Sequence, residues 1–180
     1  MIVTDVRERM NRAKHPVTGL AGPYGHPLHP VLVTVPLGAW VASLCFDVAS
    51  RVANGADARA FATGAYWLVA LGLVGALLAA SVGVIDLAAV PTGTAAFRTA
   101  LLHMGVVLTA TALFAVSLLL RHGDLDSARP TPVGPFVLSA VALALAGGGG
   151  WLGGRLTFRY GVRVADEATQ SSGYTDKGDH

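Results

Sequence analysis

Residues 65–90 read AYWLVALGLVGALLAASVGVIDLAAV, a stretch whose only charged residue is Asp86. A helix of about 20 apolar residues crosses the hydrocarbon core of a bilayer, and this stretch is longer than that. Its apolar residues do not alternate with polar ones, as they would in a strand of a membrane-spanning β-barrel. The stretch therefore predicts a transmembrane helix.

Three further runs have the same character, and together the four runs define the fold. They cover residues 28–49, 100–120 and 135–158. Only 13% of the residues are charged and 53% are hydrophobic, whereas soluble domains carry about 25% charged residues. The connectors are short, which favours antiparallel neighbours. We therefore expect an all-α, integral membrane, up-down-up-down four-helix bundle.

The polar segments at the two ends of the chain lie outside this bundle. The transmembrane domain is predicted to cover residues 26–162. A polar, basic segment precedes it at residues 1–25, and a polar tail follows at residues 163–180. The composition of the tail is typical of disordered chain. The two halves of the bundle show no evident sequence repeat.

The distribution of basic residues predicts the orientation. With four spans, both termini and the middle connector share one side of the membrane, and that side holds nine of the 13 Lys and Arg residues. Cytoplasmic loops carry the excess of positive charge. Both termini are therefore expected on the cytoplasmic side of the membrane. The net charge of +2 gives no indication of a nucleic-acid partner.

Ionisable residues inside the spans are the candidates for function, because they are costly in lipid. His29 begins the first span, Asp86 ends the second and His103 lies one turn into the third. In an antiparallel bundle these positions share one face, together with His26, Arg98, Arg155 and Arg159. Asp47 falls on the opposite face, where Arg51 is its expected partner. The polar residues thus predict a bundle that is polar at one end.

The histidines suggest haem ligation. Both lie near helix N-termini, where the dipole disfavours protonated imidazole, and a neutral imidazole is a metal ligand. Two imidazoles that face each other across a bundle can bind the iron of a b-type haem. Arg98, Arg155 or Arg159 would pair with the propionates.

Other side chains would support this site from around the ligands. Asp86 needs a cation, with Arg98, Arg155 and His103 as candidates, and it would orient a histidine. His26 and Arg159 would hold supporting positions. Two alternatives stay open at this point. The cluster binds another metal or a small ligand, or the histidines only cap helices and bond to their neighbours.

The last span is rich in glycine. Gly149 and Gly153 lie four residues apart, as do Gly150 and Gly154. Small residues at this spacing let another helix approach closely. The pattern predicts a packing face on this helix, with a homo- or hetero-oligomer as one use of it.

An ordered set of motifs resembles a bacterial family of four-helix membrane proteins, domain of unknown function 2231. The first is GHPLHP at residues 25–30, with an apolar helix and an Asp after it. The others are the Gly83 and Asp86 pair, the His that opens the third span, and the glycine-rich pattern that ends at Val162. This chain departs from the family at Thr34, where relatives often carry His, and at Val35, where Phe is usual.

The resemblance implies the four-helix fold and a place in the bacterial inner membrane, and it leaves the chemistry open. Some relatives resemble fusions to Rieske-type iron–sulfur domains, which implies electron transfer with a quinone or an iron–sulfur redox partner. The expectation is therefore a membrane electron-transfer module that binds haem b between His29 and His103, rather than an enzyme. The alternative is a non-redox membrane subunit or scaffold with a metal ion or small ligand at the same cluster.

Overall fold

Four long helices dominate the computed structural model, which describes residues 2–123 and 129–174. They are α2 (Leu28–Val52), α3 (Gly55–Ala89), α4 (Ala95–His122) and α5 (Val133–Gly154). Each is long and apolar enough to cross a membrane, the last together with the π-helical turn Arg155–Arg159 that continues it. No strand occurs within the described ranges. The all-helical membrane bundle expected from the sequence is confirmed.

Helix α3 begins at Gly55, well before the predicted start of the second span at residue 65. Residues 55–64 are mostly good helix formers such as alanine, and Asp57 places a negative charge in the first turn, where the helix dipole favours it. Only Ala53 and Asn54 remain as the connection to α2, and Gly55 takes a positive φ of 55° there. The segment predicted as a connector thus extends the second span.

Contacts between side chains show the direction of each helix. Three side chains of α2 contact glycines of α3: Phe46 contacts Gly64, Trp40 contacts Gly72 and His29 contacts Gly83. Along α4, Ser117 contacts Ser139 of α5, whereas His103 contacts Gly153. In both pairs the residue number rises on one helix as it falls on the other. Each pair is therefore an antiparallel hairpin.

The helices α2 and α4 face each other across the centre of the bundle. Trp40 and Phe114 stack there, with ring centroids 4.1 Å apart and planes 13° apart, and both are fully buried. On one side of this stack His29 meets His103, and on the other side Asp47 meets Arg121. The interior thus has an apolar middle and a polar layer at each end.

These central contacts reveal an internal repeat. Each contact joins residues 74 positions apart, at 29 and 103, 40 and 114, and 47 and 121. Each histidine also bonds a carbonyl on the next helix and contacts the glycine four residues after that carbonyl. The α2–α3 and α4–α5 hairpins are thus related by approximate twofold symmetry along the bundle. Such parallel repeats occur in membrane proteins, and this one was not apparent in the sequence.

The two glycine registers of α5 have different surroundings. A Cβ on Gly149 would lie 2.6 Å from Val107, and one on Gly153 would lie 3.3 Å from His103, so this register packs against α4. A Cβ on Gly150 would meet nothing within 4 Å, and one on Gly154 would contact only Phe158, four residues along the same chain. The predicted packing face is therefore formed by Gly149 and Gly153, and it packs inside the bundle.

The end segments fold onto the end of the bundle that contains the histidines. The N-terminal segment forms helix α1 (Ile2–Lys14), and the tail forms the short helix α6 (Glu167–Ser171). The backbone N–H of Arg163 donates to the carbonyl of Ala13, and the N–H of Asp166 donates to the hydroxyl of Tyr24. Residues 175–180 of the tail predicted to be disordered lie outside the described residues.

Candidate functional site

The histidine pair lies between the two hairpins, where helices α2 and α4 begin. The ring centroids of His29 and His103 are 6.3 Å apart, and the ring planes are nearly perpendicular at 81°. Both residues are half-buried. The structure therefore brings together the two side chains that the sequence singled out.

Each histidine is fixed by a carbonyl of the following helix. The Nδ1 of His29 bonds the carbonyl oxygen of Ala79 at 2.8 Å, and the Nδ1 of His103 bonds that of Gly149 at 2.8 Å. A carbonyl oxygen only accepts, so Nδ1 must carry the proton. Neither Nε2 atom has a hydrogen-bond partner among the described residues. In the neutral rings, each Nε2 therefore keeps a free lone pair.

Glycines beneath the rings permit this geometry. A Cβ on Gly83 would lie 3.0 Å from two atoms of the His29 ring, and a Cβ on Gly153 would lie 3.3 Å from the His103 ring. Any larger residue would displace the imidazoles. The G-x-x-D pattern and the glycine-rich α5 thus have a local purpose, which is to seat the two rings.

Asp86 lies next to this pair, but its partner is not one of the predicted cations. Its carboxylate pairs with the guanidinium of Arg163, 2.9 Å from Nε. The candidates Arg98, Arg155 and His103 were wrong for this role. Arg163 follows the π-helical turn at the end of α5, where the chain reverses and Arg163 itself takes a φ of 58°. Sequence reasoning assigned Arg163 to the tail and could not foresee this return.

Arg163 also binds the N-terminal segment. Its Nη2 donates to the carbonyls of Ala21 and Gly22, at 2.9 and 3.2 Å. Gly22 has a φ of 89°, and a Cβ there would lie 2.5 Å from the carbonyl oxygen of His26. The buried Arg163 therefore links Asp86 of α3 to both end segments of the chain.

The remaining predicted site residues surround the pair loosely. Arg155 lies with its guanidinium 5.3 Å from the Trp151 ring and 3.4 Å from the hydroxyl of Tyr160. Its buried Nε has no hydrogen-bond partner in the described part of the chain. Arg98, Arg159 and His26 are exposed. Their predicted roles as propionate partners or supporting residues remain predictions.

The opposite end of the bundle contains a second polar cluster, so the expectation of a bundle polar at one end was wrong. Asp47 is 0% exposed and Arg121 is 3% exposed, and they form a bidentate pair at 2.5 and 2.6 Å. Arg121 also donates to the hydroxyls of Ser117 and Ser139, and Asp47 accepts from Thr131 at 2.8 Å. The number of hydrogen bonds that surround this buried ion pair indicates that the pair has a structural role.

Arg51 was the wrong partner for Asp47. It lies on the exposed side of α2, where it donates to the carbonyl of Thr131 and stacks on Phe136, 4.7 Å from the ring centroid. Sequence reasoning assigned Arg121 to the connector after the third span, although the helix continues to His122. The 18-residue spacing of His29 to Asp47 and of His103 to Arg121 was the available signal.

The site could bind a metal only through its two histidines. Among the described residues, no group of three or more His, Cys, Asp or Glu side chains lies close enough to hold a metal ion. A tetrahedral zinc centre with four protein ligands is therefore not formed in that part of the chain. Two imidazoles alone would leave a metal ion short of protein ligands, and haem is a group whose iron needs no further protein ligand. The two histidines, each with a free Nε2, are the residues that would hold such a group.

Comparison with known proteins agrees with this architecture. No curated protein and no solved structure matches the chain significantly. The model of one family, described as predicted membrane protein (DUF2231), matches residues 25–166. The match covers the four long helices, both histidines, both buried ion pairs and Arg163. This chain therefore belongs to the DUF2231 family of predicted membrane proteins.

Proposed function

We propose that the protein binds one b-type haem between His29 and His103 and transfers electrons within the membrane. The observation that carries the proposal is the pair of unpartnered Nε2 atoms on rings whose centroids lie 6.3 Å apart. Histidines that bind metals usually donate their other ring nitrogen to a carbonyl or carboxylate. Ala79 and Gly149 supply such carbonyls.

The protein would position the ligands and adjust the charge around them. The bound haem would supply a one-electron couple. The two carbonyls hold the rings in one tautomer and orientation, and Gly83 and Gly153 leave the space that the rings occupy. Asp86 and Arg163 form an ion pair at this end of the bundle and would help to fix the surroundings of the ligands. Arg155 and Arg98 are available at this end for anionic groups.

An absorption spectrum of the purified, full-length protein from haem-replete membranes tests the proposal. We expect a Soret band and a reduced-minus-oxidised α band, and we expect both to be lost in His29→Gln and His103→Gln. Glutamine can still donate to the carbonyl but is not a haem ligand. His122→Gln, at an exposed position at the opposite end of α4 from His103, is the matched control and should keep the spectrum. A folded, colourless parent protein would overturn the proposal.

A second candidate is a non-redox membrane subunit or scaffold that binds a metal ion or small ligand at the same cluster. The same two hydrogen bonds favour it, because they join α2 to α3 and α4 to α5 without any ligand. Elemental analysis of the purified protein distinguishes the two candidates. Iron at one equivalent with a haem spectrum supports the first. Zinc or manganese without iron supports the second.

A further inference from the structure

Helix α1 is amphipathic, but its apolar face is not packed against the bundle. Val6, Met10 and Ala13 follow a spacing of four and three residues, so they lie on one face of the helix. Ala13 is buried near the loop of Arg163, whereas Val6 is 57% exposed and Met10 is 46% exposed. A helix on a soluble domain would bury such a face against its own core.

The polar face of α1 borders a cleft beside the connection between α3 and α4, and its charged residues are exposed. Four charged residues of this helix line a cleft together with Pro91 and Thr92, which connect α3 to α4; they are Asp5, Glu8, Arg9 and Arg12. Arg9 and Asp5 also pair with each other at 3.0 Å. Both faces of α1 are therefore exposed, and the apolar one, with Val6 and Met10, is the face that an apolar medium would cover.

Further exposed apolar residues follow along the chain from α1 to the start of α2, the first of the four long helices. Val17 and Leu20, in the segment after α1, are also exposed, and so is Leu28 at the start of α2. Arg7 and Lys14 are seven residues apart and lie on the same side of α1, next to Met10. A stripe of apolar residues flanked by basic ones matches the boundary between acyl chains and anionic headgroups.

We propose that α1 lies in the surface of the membrane, with Val6 and Met10 among the acyl chains and Arg7 and Lys14 at anionic headgroups. The contacts of Arg163 with the Ala13, Ala21 and Gly22 carbonyls hold the helix at the end of the bundle next to the histidine pair. This proposal does not depend on haem binding.

Spin labels on the full-length protein in nanodiscs test the proposal. Cys45, which is exposed, is first replaced by Ser. Labels are then attached at Met10→Cys and, as the matched control about 100° further round the helix and off the apolar face, at Asn11→Cys. Accessibility to oxygen and to a water-soluble nickel chelate is measured in phosphatidylcholine, with and without phosphatidylglycerol. We expect the oxygen-to-nickel ratio to be several-fold higher at position 10 than at position 11.

Each other outcome contradicts part of the proposal. Equal ratios at the two positions would mean that α1 is in water. A label at position 10 that is shielded from both reagents would mean that another protein, or a second copy of this one, covers the face. Phosphatidylglycerol should raise the ratio at position 10, and Arg7→Gln with Lys14→Gln should remove that increase. A ratio that is the same in both lipids would refute the preference for anionic headgroups.

Discussion

Replacing Arg121 with Met should strongly destabilise the bundle. The guanidinium binds both carboxylate oxygens of Asp47 and the hydroxyls of Ser117 and Ser139. Without it, the fully buried carboxylate keeps Thr131 as its side-chain donor. Removing one partner of a buried ion pair costs about 3–5 kcal/mol, because the other charge remains uncompensated. The equilibrium constant of unfolding should therefore rise by about a hundredfold or more.

A double-mutant cycle measures this coupling. Asp47→Leu combined with Arg121→Met removes both charges, and well-packed apolar replacements of a buried pair are often close to neutral. We expect the double variant to be more stable than either single variant. Unfolding is followed by circular dichroism as sodium dodecyl sulfate is added to detergent micelles. Arg51→Met, at the same end but exposed, should change stability by about 1 kcal/mol or less.

Two results would refute this reasoning. A free energy of unfolding for Arg121→Met within about 1 kcal/mol of the parent would mean that lipid, detergent or water compensates Asp47. A double variant whose loss of stability equals the sum of the two single losses would mean that the two residues act independently. The structure predicts neither, since the pair is bidentate and sealed by hydroxyl groups.

Two further predictions concern glycines at helix contacts. Gly72→Ala should destabilise the protein by about 1–3 kcal/mol in the same unfolding assay, because the added Cβ would overlap the indole nitrogen of buried Trp40. Gly147→Ala is the control and should be neutral or stabilising, because a Cβ there would meet nothing within 4 Å. Gly83→Ala should displace the His29 ring. If haem binds, we expect a shifted or weakened Soret band in a protein that still folds. An unchanged spectrum would show that the ring tolerates the methyl group.

Hydropathy was sufficient to predict the four helices and their alternating direction. The length of each apolar run is set by the bilayer, and short connectors leave neighbouring helices no other arrangement. The convergence of His29 with His103 was also predictable, because parallel helices place equal depths together. These properties depend on position along the chain alone.

The partners of the buried acids were not predictable in the same way. Arg121 lies at the end of a helix that continues beyond its hydrophobic run, and Arg163 returns to Asp86 through a chain reversal after α5. Both contacts depend on the rotation of a helix or the path of a loop. Hydropathy reports neither quantity, so Arg51 was chosen wrongly for Asp47, and the candidates named for Asp86 did not include Arg163.

The approximate twofold symmetry has a consequence for assembly. Two copies of the α2–α3 hairpin in this arrangement would oppose Asp47 to Asp47, and two copies of the α4–α5 hairpin would oppose Arg121 to Arg121. Only unlike hairpins bring opposite charges together at that depth. The histidine pair makes no such distinction, because either combination would supply two imidazoles. The Asp47–Arg121 ion pair thus determines that an α2–α3 hairpin associates with an α4–α5 hairpin. As a result, the histidine pair at the other end contains one histidine from each hairpin.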